Sequence, residues 1–362
     1  MRKLLLPISF LYACVLRLRH WCYDSGLLKS CRFSTPIICI GNLNLGGTGK
    51  TPHTEYLIQL LKDHYPVAVL SRGYGRKTKG FVLGDTNCNS NQIGDEPMQY
   101  LQKHHDITVA VDEDRTEGIQ KLTSLSNCDK DIAKQQVILL DDAFQHRKVH
   151  AGFNILLTEY NNLFCDDYLL PAGSLRDIKR AAQRADILVV SKSPSTISEI
   201  EQDKIIKKLK LNEKQKAYFS TLEYEPLLAM NEAAKSVNSQ DADSILLFSG
   251  IAHPEPLSDH LLSFCPNVKT ITFGDHHPYS ESDIKKIIAA YEKMGGNNKI
   301  IVTTEKDAAR LTNSAYLCLL ESIPTFVAPI HVRFIDEEKF NEEILDYVRK
   351  NTRDCCISAP SH

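Results

Sequence analysis

The stretch Gly46-Gly47-Thr48-Gly49-Lys50-Thr51 follows the apolar run Ile37-Ile38-Cys39-Ile40 and precedes the apolar residues Tyr56-Leu57-Ile58. A strand that ends in a glycine-rich turn and continues as a helix directs backbone N–H groups and the helix N-terminus toward an anion. The pattern therefore predicts a phosphate-binding loop, in which Lys50 reaches the terminal phosphates and the Thr51 hydroxyl ligates Mg²⁺. A glycine-rich surface loop is the alternative that the residues leave open.

The loop departs from the usual phosphate-binding pattern at one position. Asn44 stands five residues before Gly49, where that pattern has glycine. Asparagine adopts the left-handed backbone conformation more readily than most residues do. We therefore expect the turn to form with Asn44 in place of glycine.

Composition narrows the class of protein. A chain of 362 residues exceeds the usual size of one hydrophobic core, so two domains are expected. The net charge of −2 and the charged content of 24% describe an ordinary globular protein and do not favour nucleic acid as a partner. No obligate protein partner is evident.

The eleven cysteines include no Cys-x-x-Cys spacing, which predicts reduced thiols in the cytosol, without disulfides or zinc.

The N-terminus carries an apolar stretch from Leu4 to Leu16, containing Pro7 and flanked by basic residues. Thirteen helical residues would span ~20 Å, which is short of the ~30 Å hydrocarbon core of a bilayer. A signal peptide is not favoured, because basic residues continue where a small-residue cleavage site would lie. Two interpretations stay open: a helix that lies in the membrane interface, and a helix packed on its own domain.

From Pro36 onward, Val/Ile/Leu-rich strands alternate with helices, among them a basic helix with Arg176 and Arg184. This pattern predicts an α/β fold: a parallel sheet of the phosphate-loop type with helices on both faces, plus a second, smaller α/β domain joined by a two-strand linker. The predicted divisions are an N-terminal membrane-associating helix (1–32), a kinase domain (33–216), a linker (217–226 and 323–334), the smaller domain (227–322), a C-terminal helix (335–350) and a flexible tail (351–362).

An acidic pair, Asp141-Asp142, ends the apolar run that begins at Val137. Carboxylates at the mouth of a parallel sheet, beside a phosphate loop, are typical Mg²⁺ ligands. Gln145 and His146 follow within one turn and are candidates to orient the metal shell or a substrate. An ordinary polar loop is the alternative for those two residues.

Further candidates lie at other loops of the same predicted edge. Asp95, followed by Glu96 and Pro97, is either a helix N-cap or a base toward an attacking hydroxyl. His276 and His277 could assist such a base from the second domain, or be inert loop residues. Arginines near these loops suit phosphate contact; they are Arg72, Arg76, Arg115 and Arg176.

Several motifs occur in order between residues 4 and 307. They are Leu4-Leu5-Leu6-Pro7 with Tyr12 and Tyr23-Asp24-Ser25-Gly26, Cys39-Ile40-Gly41-Asn42 leading into Gly46 to Pro52, Leu70-Ser71-Arg72-Gly73-Tyr74-Gly75-Arg76, Gly94-Asp95-Glu96-Pro97, Asp141-Asp142-Ala143-Phe144-Gln145-His146, Leu170-Pro171-Ala172-Gly173 with Leu175-Arg176, Asp275-His276-His277-Pro278 and Thr304-Glu305-Lys306-Asp307. Together they closely resemble the tetraacyldisaccharide 4′-kinase (lipid A 4′-kinase) family. The sequence departs from that family at Asn44 and at Ala143, where the family tends to have a small hydroxyl residue and glycine.

The resemblance implies a membrane-peripheral kinase at the cytoplasmic face of the bacterial inner membrane. It implies transfer of the ATP γ-phosphoryl group to the 4′-hydroxyl of an acylated glucosamine disaccharide 1-phosphate, giving lipid IVA, and it favours membrane contact through the N-terminal helix. The implied catalytic residues are Asp95, His276, Lys50 and Arg115. The implied ATP site comprises Gly46, Gly47, Thr48, Gly49, Lys50 and Thr51, with Glu305, Lys306 and Asp307 near the adenine. The implied metal ligands are Thr51, Asp141, Asp142 and Glu96, and the implied substrate residues are Arg72, Tyr74, Arg76, Gln145, His146 and Arg176.

Two other functions use the same features. A membrane-associated nucleotide switch or chaperone ATPase would use the loop to drive a conformational change. Its guanine-selective form is disfavoured, because the sequence has no Asn-Lys-x-Asp motif. A lipid-binding protein with a vestigial loop would bind no nucleotide.

Overall fold

Two sheets organise the chain in the computed structural model, which describes residues 2–127, 136–275, 277–312 and 316–354. The predicted candidate His276 and residues 355–362 of the predicted tail lie outside the described residues. The strands are β1 (Ile37–Asn42), β2 (Val67–Ser71), β3 (Val82–Leu83), β4 (Thr108–Val111), β5 (Val137–Asp141), β6 (Phe153–Glu159), β7 (Ile187–Ser191), β8 (Lys216–Tyr224), β9 (Leu228–Ala229), β10 (Ser244–Ser249), β11 (Val268–Thr272), β12 (Lys299–Thr304), β13 (Thr325–Ala328) and β14 (Ile330–Phe334).

The α-helices lie between and around these strands. They are α1 (Leu6–Asp24), α2 (Lys50–Lys62), α3 (Ser90–Ile93), α4 (Asp95–Lys103), α5 (Arg115–Asn127), α6 (Glu199–Leu209), α7 (Glu232–Lys235), α8 (Glu255–Leu262), α9 (Glu281–Glu292), α10 (Glu305–Thr312) and α11 (Glu337–Asp354). Short 3-10 helices lie at Arg2–Leu5, Lys179–Arg184, Ser239–Asp241 and Leu317–Leu320.

The larger sheet has the strand order β14-β8-β7-β6-β1-β5-β2-β4-β3, and only its edge strands β14 and β3 run antiparallel to their neighbours. Every residue of β1 is buried, as a central parallel strand covered on both faces requires. Side chains of α2, α4 and α11 cover one face, and those of α5 and α6 cover the other. The predicted α/β class, with helices on both faces of a parallel sheet, is confirmed.

The smaller sheet has the order β11-β10-β12-β13-β9, in which only β9 is antiparallel. The chain enters it after β8 and leaves it through β13, from which β14 returns to pair with β8 in the larger sheet. The carboxyl end of β12 continues into α10, and α10 packs against α4 of the larger unit. This arrangement brings the loops of the two sheets together.

Helix α1 continues past the predicted apolar stretch to Asp24. Pro7 is tolerated because it lies in the first turn, where the missing N–H has no helical acceptor. One side of α1 packs on the protein: Tyr12 donates a 3.0 Å hydrogen bond to the Arg176 carbonyl oxygen, and His20 Nε2 lies 2.6 Å from Asp177 Oδ1. The opposite side, the outer face of α1, exposes Ile8, Leu11, Val15 and Leu18, and Leu4 is exposed in the 3-10 helix that precedes α1. The helix thus packs on its own domain and still presents an apolar surface. Within the described ranges, no helix has the length and apolarity needed to span a membrane.

The predicted basic helix around Arg176 is wrong. Arg176 lies outside any helix, and only Lys179–Arg184 forms a short 3-10 helix. The reason is a competing pairing: the N–H of Arg176 donates to the Leu43 carbonyl oxygen at 2.8 Å, and Leu175 forms an antiparallel bridge with Asn44. This pairing holds Arg176 beside the phosphate loop.

Candidate active site

The candidate site begins where β1 and β5 end side by side. These strands are parallel neighbours, and Ile40 pairs with Asp141. Asn42, the last residue of β1, and Asp141, the last residue of β5, therefore lie at the same carboxyl edge of the sheet. Ligands of open parallel sheets bind at such an edge.

The loop between β1 and α2 folds around Asn42. Its Nδ2 donates to Thr48 Oγ1 at 2.9 Å and to the Gly46 carbonyl oxygen at 3.3 Å. Gly49, with φ of 81°, is the N-cap of α2, a left-handed conformation that favours glycine. No role was predicted for Asn42 from the sequence, although it is the polar residue that ends a buried strand just before the loop.

Asn44 does not adopt the left-handed conformation that we expected. In the loop, positive φ values occur at Gly46 and Gly49, and Asn44 is buried instead. Its Nδ2 donates to Asp167 Oδ2 at 3.2 Å and to Ser174 Oγ at 3.1 Å. Asn44 thus anchors the start of the phosphate loop to the segment that carries Arg176.

Lys50, Asp142 and Arg176 form a connected cluster with the Asn42 side chain. Lys50 Nζ donates to Asn42 Oδ1 at 3.3 Å and lies 3.8 Å from Asp142 Oδ2. Arg176 donates to Asp142 Oδ2 through Nη1 at 3.0 Å and to Asn42 Oδ1 through Nη2 at 2.6 Å. Burial lowers the pKa of Lys50, although the charge of Asp142 opposes this shift. Two cations therefore converge beside the phosphate loop.

The two aspartates of the acidic pair differ in their electrostatics. Burial, with the charge of Asp142, raises the pKa of Asp141 to about 6, and Asp141 Oδ1 has no hydrogen-bond partner among the described residues. Burial also acts to raise the pKa of Asp142, but the hydrogen bond from Arg176 and the charge of Lys50 outweigh it and lower that pKa. Of the two carboxylates, Asp141 is therefore the one whose charged form a bound cation would stabilise more.

Arg115 begins α5 and is only 2% exposed. Its Nη1 donates to the Asp112 carbonyl oxygen at 2.7 Å, whereas Nε and Nη2 have no hydrogen-bond partner within the described part of the chain. Burial lowers the pKa of Arg115, and the charges of Asp141 and Asp142 oppose that shift. A buried guanidinium with unused donors is suited to an incoming phosphate.

Asp95 begins α4 but is not its N-cap, which corrects one of our two interpretations. Gly94 is the N-cap, with φ of 93°. A Cβ at this position would lie 2.9 Å from the Tyr74 carbonyl oxygen and 3.0 Å from Gly73, so only glycine fits. The close approach brings the loop that carries Arg72 and Tyr74 against the start of α4.

Asp95 and Glu96 contact the smaller unit through α10. Arg310 Nε donates to Asp95 Oδ2 at 2.9 Å, and Lys306 Nζ donates to Glu96 Oε1 at 3.1 Å. Arg310 also donates to Asp307 Oδ1 through Nη1 at 2.9 Å. No role was predicted for Arg310 from the sequence. Glu305 joins the same contact through an ion pair with Lys103.

The remaining predicted residues are dispersed around the cluster. Arg72 and Tyr74 are exposed, and Arg76 is bound within its own loop by a 2.8 Å hydrogen bond to the Gly80 carbonyl oxygen and by an ion pair with Glu113.

Gln145 and His146 lie in the loop after β5. Gln145 Nε2 lies 3.5 Å from the Asp142 carbonyl oxygen, and burial, helped by the charges of Arg115 and Arg72, lowers the pKa of His146 to about 4. His277 Nε2 lies 3.1 Å from Asp283 Oδ2.

Comparisons with known proteins point to one family. A sequence model of the family described as tetraacyldisaccharide-1-P 4′-kinase matches residues 1–349. The tetraacyldisaccharide 4′-kinase of Bacteroides thetaiotaomicron is 44% identical, over 98% of this chain and 96% of that protein. The enzyme of the same name from Flavobacterium johnsoniae is also 44% identical, over 97% of this chain and 98% of that protein. The crystal structure of LpxK from Aquifex aeolicus in complex with ATP is similar with a TM-score of 0.70 and 28% identity, covering 96% of this chain and 99% of that one.

Proposed function

The chain belongs to the tetraacyldisaccharide-1-P 4′-kinase family, and from this premise we propose how its residues carry out the reaction. The protein is an ATP-dependent kinase that phosphorylates the 4′-hydroxyl group of a tetraacyldisaccharide 1-phosphate, a precursor of lipid A. A nucleotide switch or chaperone ATPase without a lipid acceptor is not favoured, because the family match covers 1–349.

The donor half of the site is the phosphate loop with its neighbouring acidic pair. One observation carries this assignment: Lys50, Asp142, Arg176 and Asn42 form a connected set at the carboxyl edge of β1 and β5. The backbone of Gly46 to Thr51 binds the phosphates of ATP, and Lys50 contacts the phosphoryl group that is transferred.

The residues beside this loop fit Mg²⁺, the general partner of such kinases. Asp141 offers a buried carboxylate oxygen that has no described partner, and the buried Thr51 lies in the first turn of α2. The described residues hold no group of three or more His, Cys, Asp or Glu side chains that could bind a metal. Mg²⁺ in a kinase site takes one or two carboxylates and completes its shell with waters and phosphate oxygens. We propose that Asp141, Asp142 and Thr51 would hold the ion, with Glu96 as a further candidate ligand, and that the bound ion would neutralise phosphate charge.

The acceptor half brings the lipid hydroxyl toward the γ-phosphate. Asp95 accepts the proton of the 4′-hydroxyl as that oxygen attacks phosphorus, the bond to the bridging oxygen breaks and ADP leaves. Arg115 and Arg176 stabilise the negative charge on the phosphoryl oxygens. His276 is retained as a proposed partner of Asp95, and it lies outside the described residues.

The remaining roles follow the family resemblance. We assign substrate contacts to the residues at the rim of the site, which are Arg72, Tyr74, Arg76, Gln145 and His146. Glu305, Lys306 and Asp307 lie at the contact between α10 and α4, and we propose that they border the adenine side of the nucleotide. We also propose that the two sheets mark a kinase domain and a smaller domain, with β8 and β14 as the linker between them.

We propose that the outer face of α1 binds the membrane that holds the acceptor. Its leucines and valine are unusually exposed, with Leu11 and Val15 at 66% and 64%, and an apolar surface of this kind is typical of interfacial helices. Cysteines in the described part of the chain include six free thiols, at positions 14, 22, 31, 39, 165 and 265, which suits a reducing compartment. These features support a location at the cytoplasmic face of the inner membrane.

Transfer of radiolabelled γ-phosphate tests the assignment of the site. ATP and tetraacyldisaccharide 1-phosphate in detergent are supplied to the unaltered chain and to Lys50→Ala. We expect label in the lipid with the unaltered chain and a large loss of label with Lys50→Ala. Label released only to water by the folded chain would favour the ATPase alternative, and unchanged transfer by Lys50→Ala would remove Lys50 from the donor site.

A further inference from the structure

His53, one turn into α2, connects the phosphate loop to the strand β8. Its side chain is almost fully buried, and its Nδ1 lies 2.7 Å from the Gly49 carbonyl oxygen. Its Nε2 lies 2.8 Å from Oγ of Ser220, which is itself fully buried in β8. No role was predicted for His53 from the sequence.

The chemistry of the two partners sets the direction of both hydrogen bonds. A carbonyl oxygen can only accept, so Nδ1 carries the hydrogen and donates to Gly49. The Ser220 hydroxyl can donate a hydrogen bond, so a neutral ring with its hydrogen on Nδ1 satisfies both contacts. Nε2 therefore accepts a hydrogen bond from the Ser220 hydroxyl. A single tautomer of His53 links the two segments.

This link fixes the orientation of a peptide group in the loop. The Gly49 carbonyl oxygen accepts from Nδ1 of His53 and, at 3.2 Å, from the His53 backbone N–H. In a planar trans peptide, the C=O of Gly49 and the N–H of Lys50 point in opposite directions. Two donors that hold the carbonyl toward α2 therefore hold the Lys50 N–H outward from the helix N-terminus, where an anion binds.

We propose that His53 is a positioning residue for ATP. It orients the Gly49–Lys50 peptide group toward the nucleotide phosphates, and its own ring is held in place by Ser220 of β8. This inference rests on the proposed nucleotide site. Because β8 leads into the smaller sheet, the geometry of the phosphate loop is tied to the strand that joins the two units. Both ring nitrogens of His53 are bonded within the protein, so His53 acts on the nucleotide through Gly49.

Three variants separate this role from simple core packing. His53→Ala removes both hydrogen bonds, whereas His53→Asn places an amide N–H near the position of Nδ1 and retains a donor toward Gly49. His104→Ala is the matched control, because His104 is also 3% exposed and lies at the far end of α4. The dissociation constant for Mg·ATP, the KM for ATP and the KM for the lipid are measured for each, with thermal melting to verify folding.

We expect the Mg·ATP dissociation constant and the KM for ATP to rise about tenfold in His53→Ala and less than about threefold in His53→Asn. The KM for the lipid stays unchanged, and His104→Ala binds Mg·ATP as the unaltered chain does. If His53→Ala fails to fold, Ser220→Ala replaces it, with an expected rise of about threefold. The proposal would be overturned if all variants bound Mg·ATP with the same affinity as the unaltered chain. It would also be overturned if His53→Asn lost as much affinity as His53→Ala, or if His104→Ala did. Failure of the folded, unaltered chain to bind Mg·ATP would instead overturn the nucleotide site, and the inference with it.

Discussion

Arg310 Nε lies 2.9 Å from Asp95 Oδ2, so the carboxylate that we assign as the base is held by an arginine of the other unit. The Arg310 side chain is 5% exposed and also bonds Asp307, which is fully buried. One guanidinium therefore serves two carboxylates, one on α4 and one on α10. Removal of Arg310 and removal of Asp95 should consequently have different effects.

Asp95→Asn is expected to slow catalysis without weakening nucleotide binding. The amide cannot accept the proton of the attacking hydroxyl, and loss of an acid-base group typically costs about 10²–10⁴ in rate. The measurement is kcat together with the dissociation constant for Mg·ATP, at saturating lipid. An equal loss of nucleotide affinity would make Asp95 a metal ligand or a structural residue instead.

Arg310→Met is expected to destabilise the folded chain. The substitution leaves Asp307 buried without its cation, and breaking a buried ion pair in this way costs about 3–5 kcal/mol. Arg333→Met is the matched control, because Arg333 pairs with Glu223 on the surface and is expected to contribute only about 0–1 kcal/mol. Urea denaturation gives both free energies of unfolding. Similar losses in the two variants would show that the Arg310 contacts do not stabilise the contact between the units.

The residues of the candidate site differ in how far the sequence alone predicts them. The phosphate loop and the Asp141-Asp142 pair are predictable because each is a local pattern: a buried strand with the required side chains at its end or in the loop that follows. Asp95 and Arg310 lie 215 residues apart. No periodicity or spacing connects them, and their contact arises only when α10 packs on α4.

Asn44 and Arg176 illustrate a second limit. The local tendency of asparagine predicted a left-handed turn, and the basic spacing predicted a helix through Arg176. A long-range pairing of residues 43–45 with 174–176 replaced both. Tertiary hydrogen bonds that satisfy buried backbone groups outweigh weak local propensities.

The proposed membrane binding by α1 can be tested with the fluorescence of the helix itself, because Trp21 is the sole tryptophan of the chain and is 58% exposed. We expect the emission of Trp21 to shift to shorter wavelength when anionic lipid vesicles are added. Leu11→Glu combined with Val15→Glu should weaken vesicle binding more than tenfold, since each apolar side chain contributes about 1.5–3 kcal/mol when buried.

Ile200→Glu is the control for these changes, because Ile200 is 70% exposed but lies on α6. It should bind vesicles as the unaltered chain does. Vesicle binding that is unaffected by the two changes in α1, or an equal loss in Ile200→Glu, would contradict the assignment of the outer face of α1 to the membrane.

The buried histidine His53 should make the stability of the chain depend on pH. Burial lowers the pKa of His53 from 6.5 to about 4, so the unfolded chain takes up a proton first as the pH falls. Its contribution to stability is therefore present above about pH 6.5 and is lost as the pH falls toward 4. Between pH 7 and pH 5 the free energy of unfolding of the unaltered chain should fall about 2 kcal/mol further than that of His53→Asn, which has no titrating ring. Urea denaturation of the two proteins at both pH values measures the difference, and parallel losses would mean that His53 is protonated in the folded chain.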